Sequence, residues 1–441
     1  MTLIYSIGIY LFHLLIRVAA IFGGKARKWV DGRKDLLKRI KSEVDSTKKH
    51  TWFHFASLGE FEQGRSVLEA YKSTYPDRLI LITFFSPSGY ETRKNFSLAD
   101  HVFYLPADSA FNAKSFIKLI NPDLVFFTKY DFWYFYFREL KQRNIPLLMV
   151  SSIFRADQVF FKWYGGIFRK MLSCVTHFFV QNQESVVLLR SIGFDNVTLS
   201  GDTRFDRVVE IAKNVRELPV ISYFATGNRV LVAGSTWPED LERLLTFQQV
   251  FPEWKMIIAP HDINPQSIKH TCDVFSSGIL FSDLSDYKHK RHLESDHQKK
   301  RNIDMDLAYQ DTDTEADLIP EHKSPVLIID NMGMLSSLYG YGDIAYIGGG
   351  FGAGIHNTLE AAAYGMPVIF GPNFHKFQEA KDLLQAKAAF FITNGRELIS
   401  VVEELMDYQV RLEAGNRAVG YVQQQAGATD RIMDYVKEHF Q

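Results

Sequence analysis

The sequence predicts an α/β protein of two halves that face a cleft, preceded by a membrane-associated helix. Three observations predict it. Short, continuously apolar runs alternate with helical stretches, the signature of parallel strands covered on both faces. That pattern stops in a polar stretch near residue 206 and starts again near 229. A chain of 441 residues, 46% hydrophobic, is also too large for one ordinary core.

The first element is "MTLIYSIGIYLFHLLIRVAAIFGG" (1–24), apolar for about twenty residues, near the minimum for spanning a bilayer. His13 and Arg17 interrupt it, four apart and so on one helical face. A signal peptide carries its basic residues before the apolar run. Here Lys25, Arg27, Lys28, Arg33 and Lys34 follow it, which places the C-terminal side in the cytoplasm. The segment either crosses once or lies along the inner surface, with Arg17 reaching toward the headgroups. A buried helix of a soluble domain remains the alternative.

In the first half, 25–205, the expected strands are "TWFHFA" (51–56), "LILITFF" (79–85), "HVFYLP" (101–106), "LVFFTKY" (124–130), "PLLMVSSI" (146–153) and "HFFVQN" (177–182), closed by "VTLSG" (197–201). Residues 206–228 read as a linker. In the second half, 229–425, they are "RVLVAGS" (229–235), "KMIIAP" (255–260), "VLIID" (326–330), "IAYIGGG" (344–350), "PVIFGP" (367–372) and "AAFFIT" (388–393). Residues 283–325 are charged and poor in apolar side chains, and read as a mobile surface insertion. Its His289, His292 and His297 match no metal-ligand spacing. Residues 426–441 read as a C-terminal helix.

Composition removes several function classes. A net charge of −1 provides no field for nucleic acid. Two cysteines, Cys174 and Cys272, make no disulfide framework. The 14% aromatic content fits large cores and contact with something greasy.

Ligands of parallel α/β sheets bind beyond the carboxyl ends of strands, so side chains placed there are the candidates. In "FHFASLGEFEQG" (53–64) a strand stops at Ser57-Leu58-Gly59 and delivers Glu60. Glu60 is either a first-turn acid favoured by the helix dipole or a general base for a sugar hydroxyl. In "AGSTWPEDLE" (233–242), Ser235 and Thr236 either cap a helix or face the cleft. Pro260 and His261 follow another strand end. "GGGFGAGIHNTLEAAAYG" (348–365) lets backbone N–H groups approach a phosphate, with a helix starting near Asn357. Glu360 there either accepts from ribose hydroxyls or simply favours the helix start.

Read in order, these runs resemble the 3-deoxy-D-manno-octulosonic acid (Kdo) transferase family of lipopolysaccharide synthesis. "HFASLGE" (54–60) resembles its H-x-x-S-x-G-E, and "ITFFSPSGYE" (82–91) its T-x-T-x-T/S-G run. "YLPAD" (104–108) matches its Y-L-P-x-D, "GDTRFD" (201–206) its G-N-x-K-F-D, and "AGSTWPEDLE" its A-G-S-T-H-x-x-E-E. "DNMGMLSSLY" (330–339) resembles D-T-M-G-E-L-x-x-x-Y, and "IHNTLEAAAYGMPVIFGP" (355–372) resembles G-H-N-x-L-E-P-A-A-x-G-K-P-V-I-x-G-P. The matches run from the N-terminus to about residue 380.

The resemblance implies a GT-B fold, two Rossmann-like domains with the active site between them. It implies inverting transfer of Kdo from CMP-Kdo to the lipid A precursor, without a metal or cofactor, at the cytoplasmic face of the inner membrane. Glu60 falls on the family's base, and Asp131 and Arg204 on charged positions that support the transition state. Ser235, Thr236, Pro260, His261, Met332, Gly333, Met334, Asn357 and Glu360 are the implied donor contacts. The chain departs from the family in four places. His261 stands for the first Arg of P-R-H-P-E-R, and Lys129 for the first acid of E-T-E-x-W. Arg204 replaces Lys, and Met334 the acid of M-G-E-L. These departures leave room for a variant donor or acceptor. Two other classes remain: a nucleotide-sugar epimerase of the same architecture, and a non-catalytic membrane-bound nucleotide-sugar-binding protein. The aromatic and basic segment 154–172 is expected either to touch lipid or to pack inward.

Overall fold

The computed structural model describes residues 2–129, 131–284 and 324–440. Most of the 283–325 insertion, with its three histidines, lies outside the described residues. The chain divides into two compact units, residues 1–207 with 425–441, and residues 208–424.

The first unit carries a parallel sheet of seven strands: β1 (His50–Phe55), β2 (Leu79–Phe84), β3 (His101–Tyr104), β4 (Pro122–Thr128), β5 (Leu147–Ser152), β6 (His177–Val180) and β7 (Val197–Leu199). Their spatial order is β3-β2-β1-β4-β5-β6-β7. Alternation along the strands builds a core on each face. Trp52, Leu81, Val125, Phe127 and Met149 join Phe116, Ile117 and Tyr136 on one side. Phe53, Phe55, Ile82, Phe126 and Leu148 meet Phe61, Val67 and Leu68 on the other. Phe53 stacks on Phe126 across the β1/β4 pair, with centroids 4.5 Å apart.

The second core takes Ile432, Met433 and Val436 from the last helix, Ala428–His439. Asp206 fixes the start of that helix. Its carboxylate accepts from the Gly427 and Thr429 N–H groups and from the Thr429 hydroxyl at 2.5, 2.7 and 2.8 Å. Two helices, Thr203–Lys213 and Pro219–Ala225, occupy most of the stretch read as a linker. The helices are amphipathic: Val208, Ile221 and Phe224 are buried.

The second unit repeats the design with β8 (Val230–Thr236), β9 (Lys255–Pro260), β10 (Ile279–Leu280), β11 (Val326–Ile328), β12 (Ile344–Ile347), β13 (Val368–Phe370) and β14 (Ala389–Phe391). The order is β10-β11-β9-β8-β12-β13-β14, all parallel. Only β10 has no counterpart among the expected strands. It is two residues long and half-buried at the sheet edge, too short for any periodicity.

In each sheet the first strand of its unit sits centrally, and the chain leaves it in both directions. The switch falls between β1 and β4 in the first unit and between β8 and β12 in the second. Such a switch opens a crevice at the carboxyl ends of the two strands, where ligands of α/β sheets bind.

The N-terminal helix, Thr2–Ile21, docks on the first unit by a few contacts. The Tyr5 hydroxyl donates to Asp108 at 2.6 Å, and Phe12 packs on Phe85. Ile7, Leu11, Leu14, Leu15, Val18 and Phe22 stay exposed. Among the described residues no single helix is long and apolar enough to cross a membrane. The bent pair Tyr5–Ile21 and Gly24–Asp31 passes by length and composition together.

Candidate active site

Glu60 stands at the switch of the first sheet. Ser57 is the N-cap of the helix Leu58–Thr74 and accepts from the Gly59 N–H at 3.2 Å. The Ser57 hydroxyl donates to Glu60 Oε2. Lys129 leaves the end of β4 and brings its ammonium to 3.8 Å from Glu60 Oε1. The carboxylate is mostly covered, with 17% of the side chain exposed. A hydroxyl and an ammonium therefore face its two oxygens.

Lys129 takes a left-handed backbone, φ 64°, which disfavours side chains larger than glycine. Its N–H donates to the Val150 carbonyl at 2.9 Å, and its own carbonyl accepts from Ser152 at 2.9 Å. Those bonds hold it there. Such conformations persist only where the surroundings fix them, and they gather at functional sites. Ser151 and Ser235, also at strand ends, share the feature with φ 52° and 53°.

Asp131 also follows β4 but is engaged by a buried chain. Trp52 Nε1 donates to Thr83 Oγ1 at 2.8 Å, and Thr83 lies 2.8 Å from His54 Nδ1. His54 Nε2 lies 2.7 Å from Asp131 Oδ2. A carboxylate oxygen accepts, so His54 Nε2 is the donor to Asp131. Arg204 donates from Nε to Asp202 Oδ2 at 2.8 Å, and Gln63 donates to Asp202 Oδ1 at 2.9 Å. Gln63 lies one turn beyond Glu60 on the same helix, so Arg204 is linked to it through Asp202.

The second switch is built of rings and glycines. Trp237 follows β8 and stacks on His261, centroids 4.8 Å apart; His261 stacks on His356 at 4.2 Å. Trp237 Nε1 donates to His356 Nε2 at 2.9 Å, which fixes that ring as an acceptor. Burial and the neighbouring His261 push His356 down to about 4, so it stays neutral. Trp237 and His356 were not among the sequence candidates. Their signal was available: both adjoin a strand-end motif, Ser235-Thr236 and Asn357.

Ser235 and Thr236 do not cap the helix Pro238–Val250. The N-cap is Trp237, and Asp240 reaches back to its N–H at 2.8 Å. Thr236 is buried with its Oγ1 unpartnered among the described residues, and so is Thr358. Thr236, Trp237, Pro260 and His270 line a recess of about 230 Å³.

The glycine run does not present a free phosphate cradle along its length. The Gly348, Gly349, Gly352 and Gly354 N–H groups already donate to Gly234, Asp240, Gly349 and Gly349. The glycines are required for close packing instead. A Cβ on Gly348 would lie 2.3 Å from the Ser235 carbonyl, and one on Gly350 2.5 Å from Gly371 N. Buried Asp240 clamps the run, accepting from Gly349 and Tyr346, and burial raises its pKa. The helix after the run begins at Leu359 and has five residues, a short dipole. Asn357 and Glu360 bond to each other at 2.9 Å.

Gly333, at φ 88°, forms a turn between exposed Met332 and buried Met334. The helix beyond it packs Leu335 and Tyr339 onto Gly234 of β8. Among the described residues no group of three or more His, Cys, Asp or Glu side chains converges as a metal site.

Comparison with known proteins fits this layout. Residues 32–207 match the family described as 3-deoxy-D-manno-octulosonic-acid transferase (kdotransferase). A Rickettsia bellii 3-deoxy-D-manno-octulosonic acid transferase is 27% identical over 403 residues, covering 88% of each chain. The Aquifex aeolicus protein of that name is 25% identical over 87% of this chain and 95% of its own. Among solved structures, UDP-GlcNAc 2-epimerase from Neisseria meningitidis aligns with a TM-score of 0.58, over 88% of this chain and all of its own. At 14% identity that likeness gives the GT-B-like fold alone.

Proposed function

We infer the activity from one premise: the chain belongs to the 3-deoxy-D-manno-octulosonic-acid transferase family. It is a glycosyltransferase of lipopolysaccharide core synthesis that moves Kdo from CMP-Kdo. The observation that carries the reading is Glu60, a clamped carboxylate at the switch of the first sheet.

In this reading Glu60 accepts the proton of an acceptor hydroxyl. The freed oxygen attacks the anomeric carbon of Kdo on the face opposite CMP. The carbon–oxygen bond to the phosphate breaks, CMP leaves with the electron pair, and the configuration inverts. Lys129 and Ser57 hold the Glu60 carboxylate in place for the transfer. The Trp237, His261 and His356 rings and the buried Thr236 hydroxyl offer stacking surface and polar contacts to the nucleotide. Asn357 and Glu360 complete that donor side.

The acceptor is the lipid A precursor, met by the first unit at the cytoplasmic face of the inner membrane. Supporting this, the Thr2–Ile21 helix exposes an apolar stripe. Trp163 is 91% exposed, and its neighbour Tyr164 is exposed as well. Amphipathic helices and exposed aromatic side chains of this kind seat proteins in the headgroup layer. The deciding experiment supplies CMP-Kdo, generated in place, and a tetraacylated lipid A precursor. A Kdo-bearing lipid is the expected product. CMP release without a modified lipid would reject the acceptor, and no CMP release would reject the donor.

A further inference from the structure

A recess of about 510 Å³ lies beneath the N-terminal helix, lined by His13, Arg17, Trp29, Arg33, Lys34 and Asn112, among others. Its chemistry is lopsided. Lys38 and Asp35, also on its wall, pair with each other at 2.9 Å. Asp31 is the other acid on that wall. Three cations, Arg17, Arg33 and Lys34, have no carboxylate within ion-pair distance among the described residues.

Arg33 is the anchor. Its guanidinium is partly buried, and it donates to the carbonyls of Phe85, Leu105 and Trp29 at 2.7, 2.9 and 3.2 Å. It lies over the Trp29 ring, 3.8 Å from the centroid, and His13 packs against that ring at 5.1 Å. Carbonyl dipoles and ring faces steady the cation but do not neutralise it. Burial pulls its proton affinity down to about 9, which marks how unfavourable the uncompensated charge is. A basic recess of this size holds a small anionic group.

The recess opens beside the exposed apolar stripe of Leu14, Leu15 and Val18. An anion attached to an apolar tail satisfies both surfaces together. We propose that this recess binds the phosphodiester of an anionic phospholipid headgroup, with the lipid's acyl chains against the N-terminal helix. The proposal rests on the membrane placement in the preceding section and adds a discrete site to it. It differs from diffuse attraction by a basic patch, because it assigns the binding to particular cations.

The test is flotation of the full chain with vesicles of phosphatidylcholine alone or with phosphatidylglycerol added. One variant removes two exposed recess cations, R17Q with K34Q. A matched variant removes two exposed cations outside the recess, K25Q with R27Q. The recess pair is expected to weaken binding to phosphatidylglycerol vesicles by about tenfold or more, and the matched pair by less. Equal losses would overturn the site in favour of diffuse attraction. No flotation of the wild type on any vesicle would sink the membrane placement itself, with no turnover needed for the reading. A rise in melting temperature with glycerol phosphate alone, abolished in the recess variant, would overturn the lipid assignment in favour of a soluble phosphate. No such rise is expected.

Discussion

At the switch of the first sheet the chain places charge: Glu60, Lys129, and Asp131 with its His54 relay. At the switch of the second it places stacked rings and close-packed glycines. The scaffolds are alike, seven parallel strands with the entering strand inside the sheet. A carboxylate positioned by an ammonium and a hydroxyl is equipped to take a proton. Flat stacked rings and backbone packed to contact are equipped to hold a ligand. Duplicate architecture thus carries a division between chemistry and binding, decided by a few residues at strand ends.

The largest break in that comparison is Glu60→Gln. It keeps the shape and removes the base, so transfer is expected to fall by about 10²- to 10⁴-fold while CMP affinity, followed by calorimetry, stays put. Normal turnover in this variant would remove proton transfer from the first switch. Next is Gly348→Ala. Its Cβ has no room against the Ser235 carbonyl, and the variant should lose about 1–3 kcal/mol in urea unfolding. An unchanged midpoint would show that the loop yields and that the glycines matter less than their contacts suggest.

Trp237→Ala sharpens the comparison. Removing the ring from the stack should weaken CMP binding by about 0.5–1.5 kcal/mol and spare turnover at saturating donor. A fall in saturated turnover would mean that the second switch shares in the chemistry. Lys129→Gly relieves the left-handed backbone and raises stability by up to about 1 kcal/mol, while transfer slows. Stability and activity moving together would deny Lys129 a functional reason for its conformation.

The smallest effect is a pH trend. His356 is at about 4 in the folded protein against an ordinary 6.5. Above pH 6.5 folded and unfolded rings are both neutral. As pH falls from 6.5 toward 4 the unfolded chain binds a proton that the folded one refuses, so stability declines. His356→Gln should show a shallower decline in urea midpoint over that window than the wild type.

Much of this was legible in sequence because buried parallel strands read as apolar runs. Thirteen of the fourteen strands fall on expected segments; β10 carries no pattern in its two residues. Glu60 was legible for the same reason, since a charged residue just past an apolar run marks a strand end. The helices within 206–228 were not legible because their buried positions, such as Val208 and Ile221, lie among polar neighbours on narrow helical faces. The glycine run suggested phosphate contact, whereas its N–H partners Gly234 and Asp240 lie more than a hundred residues away in sequence. Trp237 and His356 escaped notice because a ring stack is a three-dimensional fact: its members come from three separate strand ends. The Lys129–Glu60 pair likewise joins residues 69 positions apart, visible only once β1 and β4 are neighbours.

The last helix has a consequence for how this protein is made. Ile432, Met433 and Val436 complete one core of the first unit, yet they are synthesised after the whole second unit. On the ribosome, the apolar surface around Phe61, Val67 and Leu68 therefore waits uncovered while more than two hundred further residues are translated. Through that interval the nascent chain exposes a sticky surface of the kind chaperones guard. A polypeptide released prematurely at residue 424 carries a second unit with all of its residues and a first unit that has never closed.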